Sequence, residues 1–151
     1  YNLNAVKACL EEIKHLKDYQ FIVTYANADF GGNLINKILE DSSSDNLVVV
    51  PSLGHFRYLS FMKQVDFIIG NSSSGIVEAP FLKIPVINVG NRQNGRYLCD
   101  NIIQSSTCIS EIHSSVKKAI DLDPSSFKDC DYWGDGFSTE KIVNILEREK
   151  L

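Results

Sequence analysis

The chain has 151 residues, which is the size of one ordinary domain with a single sizeable hydrophobic core. Its 15 basic and 19 acidic residues give a formal charge of −4, and no basic block of the kind that binds nucleic acid is present. No stretch reaches the roughly 18 apolar residues of a membrane helix, and the N-terminus lacks the pattern of a secretory signal. We therefore expect neither nucleic acid nor a membrane as a partner.

Helix-like and strand-like segments alternate from the start of the chain. Apolar residues at intervals of three and four predict a helix over 3–16, and the run YQFIVTY predicts a strand over 19–25. A glycine-containing turn then leads to a predicted helix over 33–39. The segment NLVVV at 46–50 is short and almost wholly apolar, which predicts a buried central strand of a parallel sheet.

The second part of the chain repeats this alternation. Ser110 or its neighbour is the predicted cap of one helix, and Ser138 with Glu140 opens the last one. Short apolar strands without hairpins predict a doubly wound α/β domain, with a parallel sheet covered on both faces. The predicted helices cover 55–64, 76–82, 110–120 and 139–149, and the predicted strands cover 65–69, 86–89 and 101–104.

The cysteines and histidines are scattered, without the spacing of a zinc site or of a disulfide framework. We expect four free thiols in a reducing compartment, and therefore a cytoplasmic protein with no bound metal. The cysteines are Cys9, Cys99, Cys108 and Cys130.

Ligands of doubly wound sheets bind outside the carboxyl ends of the strands, which directs attention to four polar loops. The third of these, GNSSSG at 70–75, places backbone N–H groups and hydroxyls at the start of a helix, where a diphosphate is favoured. The turn matches neither the dinucleotide GxGxxG fingerprint nor a Walker motif, so no cofactor is expected. An ordinary capping turn is the competing interpretation. The four loops are 26–32, 51–54, 70–75 and 90–96.

Three charged residues near these loops extend the hypothesis. Glu78 follows the turn among apolar neighbours, and its two oxygens suit the two hydroxyls of a ribose. Arg92 and Arg96 lie directly after the strand over 86–89, where a guanidinium can pair with phosphate. The alternatives are a solvated helix carboxylate and two surface arginines.

The run GNSSSGIVEAPFLKIPVINVGNRQNGR, residues 70–96, resembles the UDP-N-acetylglucosamine 2-epimerase family, in particular its hydrolysing branch. The segments YANADFGG, VPSLGHFRYLSFMKQ and WGDGFSTEKIV are similar to family segments and occur in the family order. The resemblance implies a GT-B-type enzyme of two Rossmann-like domains with the substrate between them. Residues 1–151 would form the C-terminal, UDP-binding domain, with the N-terminal domain as its partner.

The resemblance also implies roles for individual residues. Ser72 and Ser73 would hold the diphosphate and Glu78 the ribose, while Arg92 and Asn27 would also line the UDP site. The loop from Val50 to Leu53 would contact the uracil, mainly through backbone groups. Ser74, Gly75 and Arg96 would support the site.

The resemblance places no catalytic residue in this chain, because the acidic catalytic residues of the family belong to the N-terminal domain. A histidine that the family carries before the first helix is also outside these residues, and none of His15, His55 and His113 has its context. The chain alone is therefore expected to bind nucleotide without turnover.

The implied reaction converts UDP-N-acetylglucosamine and water into UDP and N-acetylmannosamine for sialic-acid-type biosynthesis. UDP leaves by anti elimination, water then adds, and neither a metal nor a cofactor takes part. The resemblance implies a homodimer, the commonest symmetric assembly, while other oligomeric states stay open. The alternatives are an epimerase acting on a UDP-diacetamido sugar, the nucleotide domain of a GT-B glycosyltransferase, and a non-catalytic nucleotide-binding module.

Overall fold

The computed structural model describes residues 2–27, 31–42 and 44–149. Predicted helices and strands are all present, with ends that differ by a few residues. The helices are α1 (Asn2–His15), α2 (Gly32–Asp41), α3 (Gly54–Met62), α4 (Ser73–Val77), α5 (Ile109–Asp121) and α6 (Ser138–Arg148). The strands are β1 (Phe21–Thr24), β2 (Leu47–Val50), β3 (Ile68–Gly70), β4 (Val86–Val89) and β5 (Ile102–Ser105). Short 3-10 turns cover Ala79–Leu82, Pro124–Ser126 and Asp131–Trp133.

The strands pair in parallel throughout. β1 pairs with β2, and β4 lies between β3 and β5, with Ile87 opposite both Ile69 and Ile103. The two groups of strands meet through aromatic side chains, since the ring centroids of Phe21 and Phe67 lie 6.1 Å apart. The architecture is therefore the predicted doubly wound, Rossmann-like α/β domain, with its strands hydrogen-bonded in two groups.

The hydrophobic core lies on both faces of β4. Alternate residues of a strand point to opposite faces, so Ile87 and Val89 pack with α1 and α5, while Val86 packs with Met62 of α3 and with Ala79. Every residue of β4 is buried. Helices on both faces of this strand fix its carboxyl end, at Val89, as the rigid base of the loop that follows.

The prediction that β2 is a buried central strand is wrong. Val48 is 52% exposed, and its register partner Ile22 on β1 is 43% exposed. Among the described strands, β2 hydrogen bonds to β1 alone, and one face of this pair is open. The apolar run indicated the strand correctly, but burial depends on which elements pack over it.

Several helix ends also differ from the prediction. The single helix predicted over 76–82 is two elements, α4 and a 3-10 turn, because Pro80 has no N–H to continue an α-helical ladder. Cys108 occupies the N-cap position of α5, and Ser110 lies inside the first turn. Ser138 is the first residue of α6, with Phe137 at its N-cap.

The prediction of four free thiols is also wrong, because Cys99 and Cys130 form a disulfide with Cα atoms 6.2 Å apart. The two cysteines are 31 residues apart in sequence, so their spacing alone did not indicate a bond. The fold brings the segment around Cys130 back to the end of the 90–100 loop, within disulfide distance of Cys99. Cys9 and Cys108 are free thiols. Burial raises the pKa of Cys9 to about 12, whereas the hydrogen bond with Ser110 lowers the pKa of Cys108.

Within the described residues, no helix has the length and apolar character needed to cross a bilayer.

Removing the disulfide is expected to lower the free energy of unfolding by about 3 to 4 kcal/mol, since the bond restricts a loop of this length in the unfolded chain. The measurement is urea unfolding of a Cys99→Ser, Cys130→Ser double variant beside wild type. Cys108→Ala, which removes an exposed free thiol without adding a helix cap, is the control and should unfold like wild type. Equal unfolding midpoints for the double variant and wild type would contradict the prediction.

Candidate functional site

Two of the predicted loops meet at the carboxyl ends of β3 and β4. The backbone carbonyl of Asn71 accepts a hydrogen bond from Gln93 Nε2 at 2.7 Å and another from Arg92 Nη1 at 3.0 Å. The loop 90–96 is thereby attached to the turn 70–75. The structure thus brings together the polar turn and the arginine that the sequence analysis assigned to one site.

The turn begins α4 with a capped N-terminus. Ser72 has extended backbone angles, and its Oγ accepts a hydrogen bond from the N–H of Ser74 at 3.3 Å. The N–H of Gly75 donates to the carbonyl of Ser72 at 3.2 Å. Ser72 and Ser73 are both exposed, and their N–H groups precede those that the turn uses internally. The open end of the turn therefore presents donors to solvent.

Gly75 has a packing role that the sequence analysis missed. It is buried, and a Cβ atom added there would lie 2.9 Å from Cγ1 of Val86. Val86 is itself buried in β4, and its branched side chain has little freedom to move aside. Glycine therefore allows α4 to approach β4 closely, which sets the depth of the turn.

Glu78 and Ser74 carry polar atoms whose hydrogen-bonding capacity is unused. Glu78 Oε2 and Ser74 Oγ are buried, and neither has a partner in the described part of the chain. A buried acceptor without a donor destabilises a protein by about 1–3 kcal/mol. The Glu78 carboxylate, which follows α4 directly, therefore suits a ligand that supplies hydroxyl donors.

The loop after β1 is held by Asn36 of α2, a residue that the sequence analysis did not identify. Asn36 Oδ1 accepts from the N–H of Ala26 at 2.8 Å, and its Nδ2 donates to the Ala26 carbonyl at 3.4 Å. A Cβ atom at Gly32 would lie 2.1 Å from the carbonyl oxygen of Asn27, so this approach also requires glycine. Asn27 is an exposed residue of this loop, and residues 28–30 lie outside the described residues.

The loop after β2 contributes less than expected. The carbonyl of Val50 already accepts a hydrogen bond from the N–H of Tyr25 at 3.2 Å, which removes one of its backbone groups from ligand contact. Leu53 is half-buried at the N-cap position of α3. In the described residues, no hydrogen bond joins Asn27 or the 50–54 loop to the turn at Ser72.

The loop 90–96 is stabilised from inside. Gln93 is only 4% exposed, although it lies between polar loop residues, and this burial gives its amide a fixed direction. The N–H of Arg96 donates to the Gln93 carbonyl at 3.2 Å, which closes a turn, and Arg96 itself is exposed. Gln104 of β5 supports the base of the loop by donating to the carbonyl of Gly90 at 2.5 Å.

Two surface recesses are separate from these loops. One of about 580 Å³ lies between Phe81, Lys83 and the segment 129–138, and one of about 260 Å³ lies near Tyr19 and Pro85. Neither is lined by the predicted site residues. In the described residues, no cluster of His, Cys, Asp and Glu is suited to a metal ion.

The fold and the loop contacts define a Rossmann-like α/β domain with a polar site at the carboxyl edge of its strands. A family profile described as UDP-N-acetylglucosamine 2-epimerase matches residues 1–147. The chain belongs to this family, as its 70–96 segment predicted.

Curated relatives give the same assignment. The chain is 42% identical over 82% of its length to "GDP/UDP-N,N'-diacetylbacillosamine 2-epimerase (hydrolyzing)" of Campylobacter jejuni, covering 32% of that protein. It is 32% identical over 87% of its length to "UDP-N-acetylglucosamine 2-epimerase" of Neisseria meningitidis, covering 35% of that protein. The chain thus spans about a third of the length of the curated relatives that it matches.

Solved structures show the same fold. The Methanocaldococcus jannaschii UDP-GlcNAc 2-epimerase, in complex with UDP-GlcNAc and UDP, matches 96% of the chain and 40% of its own length with a TM-score of 0.75 at 21% identity. The S. aureus MnaA–UDP structure matches 97% of the chain and 40% of its own length with a TM-score of 0.72 at 24% identity.

A methyl group at Gly75 is expected to force α4 away from β4. Gly75→Ala should lower the free energy of unfolding by about 1–3 kcal/mol, the usual range for overpacking. The measurement is urea unfolding, with Ser73→Ala on the exposed side of the same helix as control. Unchanged stability of Gly75→Ala would show that the helix and strand separate freely and that the contact does not set the turn.

Proposed function

We propose that the chain is the C-terminal, UDP-binding domain of a hydrolysing UDP-N-acetylglucosamine 2-epimerase. The observation that carries the proposal is the junction at the Asn71 carbonyl, where Arg92 is held against the open end of the Ser72–Ser73 turn. A guanidinium on the loop that contacts this turn, together with the exposed serines, suits a diphosphate, because charged donors bind phosphate oxygens most strongly. The names of the C. jejuni, Legionella pneumophila and N. meningitidis relatives all include UDP, which supports uridine as the nucleoside, and the C. jejuni name also includes GDP.

The proposed contacts follow the geometry. Ser72, Ser73 and Arg92 hold the diphosphate, and the Glu78 carboxylate accepts the ribose hydroxyls. Asn27 lines the same site from the β1 loop, while Ser74, Gly75 and Arg96 support it. Because the Val50 carbonyl is engaged with Tyr25, the uracil would be contacted by the remaining backbone groups between Val50 and Leu53.

The proposed reaction breaks the bond between C1 of the sugar and UDP. A carboxylate outside this chain takes the proton from C2 as UDP departs, which leaves a glycal with a C1–C2 double bond. Water then adds its hydroxyl to C1, and a proton returns to C2 on the opposite face. Donors placed where the leaving diphosphate gains charge would lower the barrier to departure.

The reaction requires residues beyond this domain, and an N-terminal domain is the proposed partner. The matched relatives are about three times as long as the aligned region. α6 carries an apolar face that nothing in the described residues covers, with Ile142 and Ile145 each 58% exposed and Leu146 53% exposed. Such a face supports docking against another domain or subunit, and a homodimer is also proposed.

We further propose a cytoplasmic location. The free thiols of Cys9 and Cys108 support it, and the disulfide between Cys99 and Cys130 opposes it.

The second candidate substrate is a UDP-diacetamido sugar. The 42% identical relative is named for diacetylbacillosamine, and so is the 30% identical protein of Legionella pneumophila. The N. meningitidis relative is named for UDP-N-acetylglucosamine. Assaying the protein that contains this chain with each sugar nucleotide would separate the two, since only the true substrate should release UDP.

Calorimetric titration with UDP, UMP and ADP, without added metal, tests the proposal directly. We expect binding that favours UDP over UMP, because of the second phosphate, and over ADP, because of the base. Equal binding of UDP and ADP would contradict a uridine site. UDP binding without UDP-sugar turnover by the protein that contains the chain would favour a non-catalytic nucleotide-binding module.

Replacing the proposed ribose acceptor should weaken nucleotide binding. Glu78→Ala is expected to reduce UDP affinity by about 1–3 kcal/mol, the penalty for hydroxyl donors that lose a charged acceptor. With 2′,3′-dideoxy-UDP, wild type and variant should bind alike, because the ligand then lacks both hydroxyls. Glu147→Ala on the exposed α6 is the control. A loss of equal size for UDP and the dideoxy ligand would remove the ribose role.

A further inference from the structure

The Asn71 carbonyl has two donors that differ in their surroundings. Gln93 is 4% exposed and donates from Nε2 at 2.7 Å, whereas Arg92 is an exposed side chain that donates from Nη1 at 3.0 Å. The buried amide has a fixed direction because the chain encloses it. The arginine has a long stem with several rotatable bonds, so its guanidinium is less constrained than the buried amide.

A hydrogen bond to the Asn71 carbonyl also orients the N–H of Ser72, the N-cap residue of α4. The Asn71–Ser72 peptide is trans, so its C=O and the N–H of Ser72 point in opposite directions within one plane. A donor that holds the carbonyl therefore holds the direction of the Ser72 N–H. The next residues continue this constraint, since Ser72 caps α4 and Gly75 packs α4 onto β4.

A phosphate bound at this turn would compete with the Asn71 carbonyl for Arg92. If Arg92 were the sole donor, its movement to phosphate would leave the carbonyl without a partner and release the plane of the peptide. With Gln93 in place, the carbonyl keeps its shorter hydrogen bond while the guanidinium turns to an anion. The two side chains thus have different tasks. Gln93 holds the turn, and Arg92 is available to bind the phosphate.

We propose that Gln93 is a positioning residue that holds the Asn71 carbonyl, and with it the Ser72 N–H, so that Arg92 is able to engage the diphosphate. This inference rests on the proposed function, because it deepens the description of the same UDP site. It assigns no direct ligand contact to Gln93. The consequence is that Gln93 should affect binding of the diphosphate and leave binding of the nucleoside almost unchanged.

The test is a comparison of UDP and uridine affinities for wild type, Gln93→Met and the surface control Gln64→Met. Methionine keeps the size of glutamine and removes the donor. UDP binding to Gln93→Met should weaken about tenfold and uridine binding by less than about twofold, the range expected for a lost buried hydrogen bond. Gln93→Asn, whose amide is one methylene too short, provides a second variant if methionine prevents folding.

A double-mutant cycle with Arg92→Ala completes the test. In the Gln93→Met background, Arg92→Ala should weaken UDP binding by a smaller factor than in wild type, because Arg92 is already retained by the carbonyl.

Three results would overturn the inference. Equal losses for UDP and uridine would indicate a purely structural role for Gln93, and additive effects in the cycle would show that the two donors act independently. In both cases UDP binding by wild type would leave the proposed function standing. Absence of UDP binding by folded wild type would contradict the proposed function, and the inference would fall with it.

Discussion

The close approach of α4 to β4 at Gly75 is the contact on which the rest of the site depends. The added Cβ would lie 2.9 Å from Val86, so only glycine allows this separation. β4 is buried along its whole length and cannot retreat, because α1 and α5 occupy its other face. The start of α4 is therefore fixed relative to the carboxyl end of β4, and the turn after β3 meets the loop after β4 at a defined distance.

At this contact the turn 70–75 and the loop 90–96 form one continuous surface. The Asn71 carbonyl is the shared acceptor, and Gln93 and Arg92 reach it from the neighbouring loop. Gln104 and the disulfide at Cys99 hold the two ends of the segment that carries these donors. Such support from rigid elements suits the proposed phosphate site, because the Asn71–Ser72 peptide then has one orientation before an anion arrives.

The exposed apolar side chains are typical of a domain that docks against another domain or subunit. The proposed ligand contacts lie at one open edge, and α6 presents Ile142, Ile145 and Leu146 to solvent. The strands β1 and β2 likewise expose Ile22 and Val48. Burying these apolar side chains against a partner would be favourable, in proportion to the area removed from water.

Local patterns in the sequence determined the order of the helices and strands and their parallel pairing. They also indicated the turn 70–75 and the loop 90–96 of the site. Periodicity and turn chemistry act between near neighbours, so the sequence alone reveals them. The run 70–96 also indicated the family, which the profile match confirmed. Tertiary structure alone decided the Cys99–Cys130 bond, the burial of Gln93 and the exposure of Val48. Each of these depends on which distant segments the fold places side by side, and neither spacing nor composition encodes that proximity.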